Sequence, residues 1–132
     1  MPSLSVSRIQ GRSAYGGVLL VPVQIDALDL EFLVDSGAAY TAISPDVAAL
    51  FDLALSPQRQ LRIVLAQGAP LSVPQVSLPE LFIGRMRLRQ VEALVMTFPS
   101  VLKLDGIIGM NVLRQFRVTL ESDTSTLVLR TV

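Results

Sequence analysis

Short blocks in which apolar and polar positions alternate, broken by turn residues, run along most of this chain and predict a protein built from strands. Val18 to Ile25 reads as one strand and Leu28 to Val34 as its hairpin partner, with Asp26-Ala27 as the bend. Thr41 to Ile43 resumes a strand briefly. Ser44-Pro45-Asp46 then marks a helix start, with a capping hydroxyl, a proline in the first turn and an acid at the positive dipole end; the helix is expected over Pro45 to Phe51. Leu61 to Ala66 and Leu71 to Val76 form a second hairpin around Gln67-Gly68-Ala69-Pro70. Leu81-Phe82-Ile83 leads into a turn at Gly84, and Met86 to Val95 is a further strand. Gly106 to Gly109 brackets two isoleucines, and Met110 to Gln115 makes a short helical turn. Phe116 to Glu121 and Thr126 to Val132 close the chain as a hairpin around Ser122-Asp123-Thr124. Residues 1–16, with little periodicity, are expected to be an N-terminal arm or an edge strand, and 17–132 a single domain.

Composition adds a surplus to explain. Of the 132 residues, 51% are hydrophobic and only 17% charged, with a mean hydropathy of +0.55. A small domain cannot hide that much apolar surface alone, which points to a sizeable apolar interface, most simply with another copy of itself. Net charge is zero, and Arg85, Arg87 and Arg89 alternate as one solvated strand face, so no nucleic-acid partner is expected. The longest apolar run, around Val18 to Val23, is broken by Pro22 and is too short to span a bilayer. The N-terminus to Gly17 carries no hydrophobic targeting core. A soluble chain is expected, either cytoplasmic or part of a longer, membrane-anchored protein.

The absences narrow the chemistry. There is no histidine and no cysteine, which excludes Ser-His-Asp and Cys-His nucleophiles, His/Cys zinc sites and disulfides. Lys103 is the only lysine, and no nucleophile turn lies near it. Carboxylates remain for any hydrolytic step, and neither metal nor cofactor is expected. Phe32-Leu33-Val34-Asp35-Ser36-Gly37-Ala38 is the segment that supplies one: an apolar strand ends on Asp35, beside a hydroxyl and a residue free of side-chain restriction. A charge placed straight after three apolar residues needs a hydrogen-bond or charge partner.

That heptad, followed by Asp105-Gly106-Ile107-Ile108-Gly109-Met110, resembles the retropepsin-type aspartic proteases, the retroviral proteases and their single-domain cellular and bacterial relatives. The resemblance extends over Val18 to Val132. It implies an all-β, retropepsin-like acid-protease β-barrel with one or two short helices, active as a two-fold homodimer. It also implies that Asp35 is catalytic, with Ser36, Gly37 and Ala38 in support, and that Ile107, Ile108 and Gly109 form the companion loop. The hairpin Leu61 to Val76 takes the place of the family's flap, with Gln67, Gly68 and Ala69 at its substrate-binding tip. Ala38 stands where pepsin-like enzymes often donate a hydroxyl to the carboxylate, which implies a less acidic working range than pepsin's. In retroviral relatives the chain ends interleave between subunits; the sequence leaves the pairing of the termini open, with Thr126 to Val132 as the candidate segment.

Two aspartates sharing one proton can activate a water and protonate a carbonyl oxygen, because like charges at hydrogen-bond distance cannot both ionise. Only one Asp-Ser-Gly is present. Asp105 lacks the neighbouring hydroxyl and precedes its apolar run, so it reads as a turn aspartate. The second carboxylate is then expected from a second chain, and the substrate is an extended peptide. A different reading of the same fold is a dimerisation or peptide-binding module with little or no turnover.

Overall fold

A computed structural model describes residues 5–53, 59–64 and 68–132. In chain order its elements are β1 (Val6–Gln10), β2 (Arg12–Ala14), β3 (Val18–Ile25), β4 (Leu28–Val34), β5 (Thr41–Ile43), α1 (Pro45–Leu50), β6 (Gln60–Val64), β7 (Pro70–Ile83), β8 (Met86–Val95), β9 (Gly106–Ile108), α2 (Met110–Leu113), β10 (Phe116–Glu121) and β11 (Thr126–Thr131). The architecture is therefore mostly β with two short helices, as the strand pattern predicts.

Period-two alternation sorts each strand's side chains. In β3, Val21, Val23 and Ile25 are buried while Pro22 and Gln24 face out. The β3–β4 hairpin turns on Asp26 (φ 51°) and Ala27 (φ 66°), the left-handed pair that a two-residue connection needs to match strand twist. Helix α1 starts as expected: the Ser44 side chain accepts from Val47 N at 3.2 Å, and Pro45 occupies the first turn.

One strand is longer than the pattern suggests. The segments at 71–76 and 81–83 belong to one 14-residue strand, β7, antiparallel to β8. Its register passes from Leu78 opposite Val91 to Glu80 opposite Arg89, skipping Pro79, while Gln90 of β8 adopts φ 53°. The ladder thus breaks locally where proline has no N–H to give, and continues beyond it.

Eight strands form a sheet in the order β2-β3-β4-β9-β5-β8-β7-β6, and a further pairing of β3 with β7 at Gln24 and Phe82 curls it closed. The core inside includes Val21, Val23, Phe32, Ile43, Leu78, Leu81, Ile83 and Ile108. A smaller cluster of Ala42, Val73 and Leu94 is joined by Leu61 and Ile63 of β6 and by Met96, Phe98 and Ile107.

A second, three-stranded sheet has the order β1-β11-β10. Val6–Gln10 is thus an edge strand. The C-terminal strand β11 sits in the middle, paired on one side with β1 and on the other with β10. Both hydrogen-bonding edges of that strand are thus filled within the chain, which leaves β11 itself no free edge for a strand from another subunit.

Candidate active site

Strand β9 is what assembles the site. It lies parallel to β4, with Phe32, Leu33 and Val34 opposite Gly106, Ile107 and Ile108, and antiparallel to β5, with Ala42 opposite Ile107. The loops that leave β4 and β9 therefore emerge side by side. Gly106 makes this possible, since a Cβ there would lie 2.5 Å from both Ala42 O and the Phe32 ring.

Asp35 continues the parallel ladder, its N–H donating to Ile108 O at 3.0 Å. The chain then turns back, with Gly37 N donating to Asp35 Oδ1 at 2.9 Å and Ala38 N to Asp35 O at 3.2 Å. A Cβ on residue 37 would stand 3.2 Å from that oxygen. Asp35 as a residue is half-buried, and Ser36 is exposed beside it.

The companion loop grips this turn from below. Met110 N donates to Ala38 O at 2.7 Å and Asn111 N to Ala39 O at 3.1 Å. Gly109 packs so closely that a Cβ would meet Tyr40 O at 2.4 Å. Ile108 is wholly buried, while Ile107 is half-buried.

Two residues that the sequence reading did not single out join these loops. Asn111 Oδ1 accepts from Thr41 N at 2.7 Å and from Thr41 Oγ1 at 2.8 Å. Its Nδ2 donates to Glu92 O at 2.8 Å, and Thr41 Oγ1 accepts from Gly109 N at 3.1 Å. Asn111 thereby ties the loop after Asp35, the companion loop and β8 together. The available signal was a polar residue in the first turn of a short helix that follows an apolar-apolar-glycine run.

Asp105 does different work. Its Oδ2 accepts from Glu31 N at 2.9 Å, its own N–H donates to Glu31 O at 3.1 Å, and its carbonyl accepts from Ser44 N at 3.0 Å. Glu31 lies four residues before Asp35 on β4, about 13 Å along the strand. The Asp105 carboxylate is therefore a backbone clasp at the far end of the β4–β9 pairing. Glu31 is held further by Arg12, whose Nε and Nη2 reach its two oxygens at 2.7 and 2.6 Å. That fork, above all its hydrogen bonds, raises the Arg12 pKa further.

A cleft of about 460 Å³ opens beside the turn. Gly37, Ala38, Ala39 and Tyr40 form one wall, Arg62, Ile63 and Val64 of β6 another, and Ala42, Leu94, Met96 and Ile107 also line it. The β6–β7 hairpin thus faces the Asp-Ser-Gly turn across one cavity. Gly68 (φ 83°) and Ala69 are exposed near its end, whereas Gln67 lies outside the described residues. The hairpin's root is pinned by Glu92, whose Oε2 accepts from Arg59 Nη2 at 3.0 Å and Gln75 Nε2 at 3.1 Å. Among the described residues, no helix is long and apolar enough to cross a membrane.

No curated relative matches the chain. A crystal structure of a retropepsin-like aspartic protease from Rickettsia conorii is similar in fold, with a TM-score of 0.71 and 17% identity, covering 98% of this chain and 94% of that one. The family model described as aspartyl protease matches residues 21–112, a span that contains both interlocked loops, from Asp35 to Asn111. With the family model spanning both loops, the chain belongs to the aspartyl protease family, and its fold is retropepsin-like.

Proposed function

We propose that this protein is an aspartic endopeptidase that works as a two-fold homodimer, with one Asp35 from each copy forming the catalytic pair. The observation that carries this reading is the pose of Asp35: a carboxylate at the end of a buried strand, with its backbone N–H on Ile108 O and its Oδ1 accepting from Gly37 N, beside a cleft of about 460 Å³. Asp105, the other acid in the two motifs, is engaged with the Glu31 backbone, so the second carboxylate comes from a second chain.

In the proposed cycle the two carboxylates hold one proton between them. The ionised one takes a proton from water as its oxygen attacks the peptide carbonyl carbon, and the other gives its proton to the carbonyl oxygen. The tetrahedral diol then collapses: the C–N bond breaks, the amine leaves with a proton, and the pair is restored. Gly37 N–H stabilises the ionised Asp35.

Strand β6 ends the eight-stranded sheet and borders the cleft, so an extended peptide can pair with its outer edge as an added strand. Ala42, Ile63, Leu94, Met96 and Ile107 favour apolar side chains around the cut. Peptide cleavage by the wild type, by Asp35→Asn and in the presence of a statine-type inhibitor tests the reading. Cleavage abolished in both cases supports it. A folded dimer that binds peptides but cuts none at any pH establishes the binding module in its place.

A further inference from the structure

Strand β6 carries a charge that no acid of the chain answers. Leu61 and Ile63 are half-buried against the smaller apolar cluster, while Gln60, Arg62 and Val64 are exposed on the other face. Of the described residues that line the cleft, Arg62 alone is charged. All eleven acids of the sequence lie among the described residues, and none forms an ion pair with Arg62. Arg59, at the root of the same hairpin, is already held by Glu92.

The backbone at Arg62 is turned to the open edge. β6 ends its sheet, and no strand lies beyond it among the described residues. Gln75 N donates to Arg59 O at 2.8 Å, one step before Gln60 stands opposite Pro74 in the β6–β7 register. Bonded and non-bonded pairs alternate along an antiparallel ladder. Leu61 with Val73 and Ile63 with Leu71 are therefore bonded pairs, and Arg62 with Ser72 is not. Pro74 and Pro70, opposite Gln60 and Val64, fit this phase, since neither has an N–H to give to β6. The N–H and C=O of Arg62 thus point out of the sheet, where an added strand would lie.

We propose that Arg62 is a specificity-determining residue that selects peptides carrying Asp or Glu at the position paired with it. This rests on the reading of the protein as a peptide-cleaving enzyme and adds a class of substrate. A peptide laid along β6 bonds one of its residues to the outward N–H and C=O of Arg62. The side chain of that residue leaves on the same face as the guanidinium, where an opposite charge makes a cross-strand pair. Its two neighbours leave on the other face, beside Leu61 and Ile63, where apolar side chains are favoured. The preferred run is apolar, acidic, apolar. A carboxylate suits a free guanidinium because its two oxygens accept parallel N–H groups. Since Arg62 is exposed, the pair stays hydrated and sets a preference of a few-fold, not an absolute requirement.

Peptides of one apolar frame, with a single Glu, Gln or Lys moved through each position, test this. For the wild type, one position is expected at which Glu gives about three- to fivefold higher kcat/KM than Gln, and Lys a lower value. The gain should lie in KM, because the pair forms on binding and does not change as the peptide bond breaks. Arg62→Gln is expected to remove the preference, and Arg62→Glu to invert it in favour of Lys at that same position. A general loss of folded protein cannot invert a ratio. A wild type that favours Glu at no position overturns the proposal, and so does a preference that Arg62→Glu leaves in place. Binding of the same peptides to Asp35→Asn, followed by fluorescence anisotropy, separates this proposal from the protease reading. Cleavage without charge preference keeps the protease and removes Arg62 from this role. Charge-selective binding with no cleavage by the wild type keeps Arg62 in it and removes the protease. Neither binding nor cleavage of any peptide overturns both.

Discussion

Asn111 Oδ1 lies 2.7 Å from Thr41 N and 2.8 Å from Thr41 Oγ1, so a four-residue helix holds the end of the loop that begins at Asp35. With Nδ2 on Glu92 O, one side chain spans two loops and a strand. Thr41 is fully buried, and its amide and hydroxyl have no access to water as a replacement.

Truncating this link should therefore cost more than an ordinary surface hydrogen bond. Asn111→Ala is expected to lower stability by about 2–3 kcal/mol, since it strands buried polar groups. Peptide cleavage should fall further than the loss of folded protein accounts for, because the Asp35 turn loses its brace. Urea unfolding together with kcat/KM at a temperature where the variant is folded checks both parts. An unchanged unfolding midpoint would remove Asn111 from this role.

The glycines of the two proposed working loops should respond to very different degrees. Gly109→Ala pushes a methyl to 2.4 Å from Tyr40 O, backbone against backbone, and is expected to prevent folding or to cost several kcal/mol. Gly68→Ala meets no atom of the described residues within 4 Å and carries the strain of φ 83°, about 1 kcal/mol. Thermal unfolding of the pair gives the ranking. A Gly109→Ala protein as stable as Gly68→Ala would contradict the close approach.

The two aspartates should separate cleanly by chemistry. Asp35→Asn is expected to reduce kcat by at least about 10²–10⁴-fold with little change in stability. Asp105→Asn keeps a carbonyl oxygen for Glu31 N and is expected to retain folding and most activity, whereas Asp105→Ala should lose about 1–3 kcal/mol. If Asp105→Asn were as inactive as Asp35→Asn, the catalytic pair would have to be drawn differently.

Glu92 offers a test of the hairpin as a moving part. Its carboxylate holds Arg59 and Gln75 at the hairpin root, while its carbonyl serves Asn111 independently. Exposed pairs of this kind contribute about 0–1 kcal/mol, so Glu92→Ala should hardly alter stability. If the hairpin closes over substrate, KM should rise several-fold with kcat nearly unchanged, in a steady-state assay on a peptide long enough to reach β6. An unaltered KM would mean that the root contacts do not govern closure.

What the amino-acid sequence determined by itself is local. The β3–β4 hairpin, the Ser44 cap with its proline, the Met86–Val95 strand and the closing β10–β11 hairpin were all legible, because alternation, turn residues and capping act between neighbours in the chain. So was the carboxylate at the end of an apolar strand. The tertiary structure alone decided that β9 inserts between β4 and β5, that Asp105 clasps Glu31 rather than joining Asp35, and that Asn111 binds Thr41. It also decided that β7 runs through Pro79, and that β11 is an inner strand while β10 is left open. Each joins segments distant in sequence or depends on which neighbour a strand acquires. Period-two patterning says which face of a strand is buried, but nothing about which strand lies beside its edge.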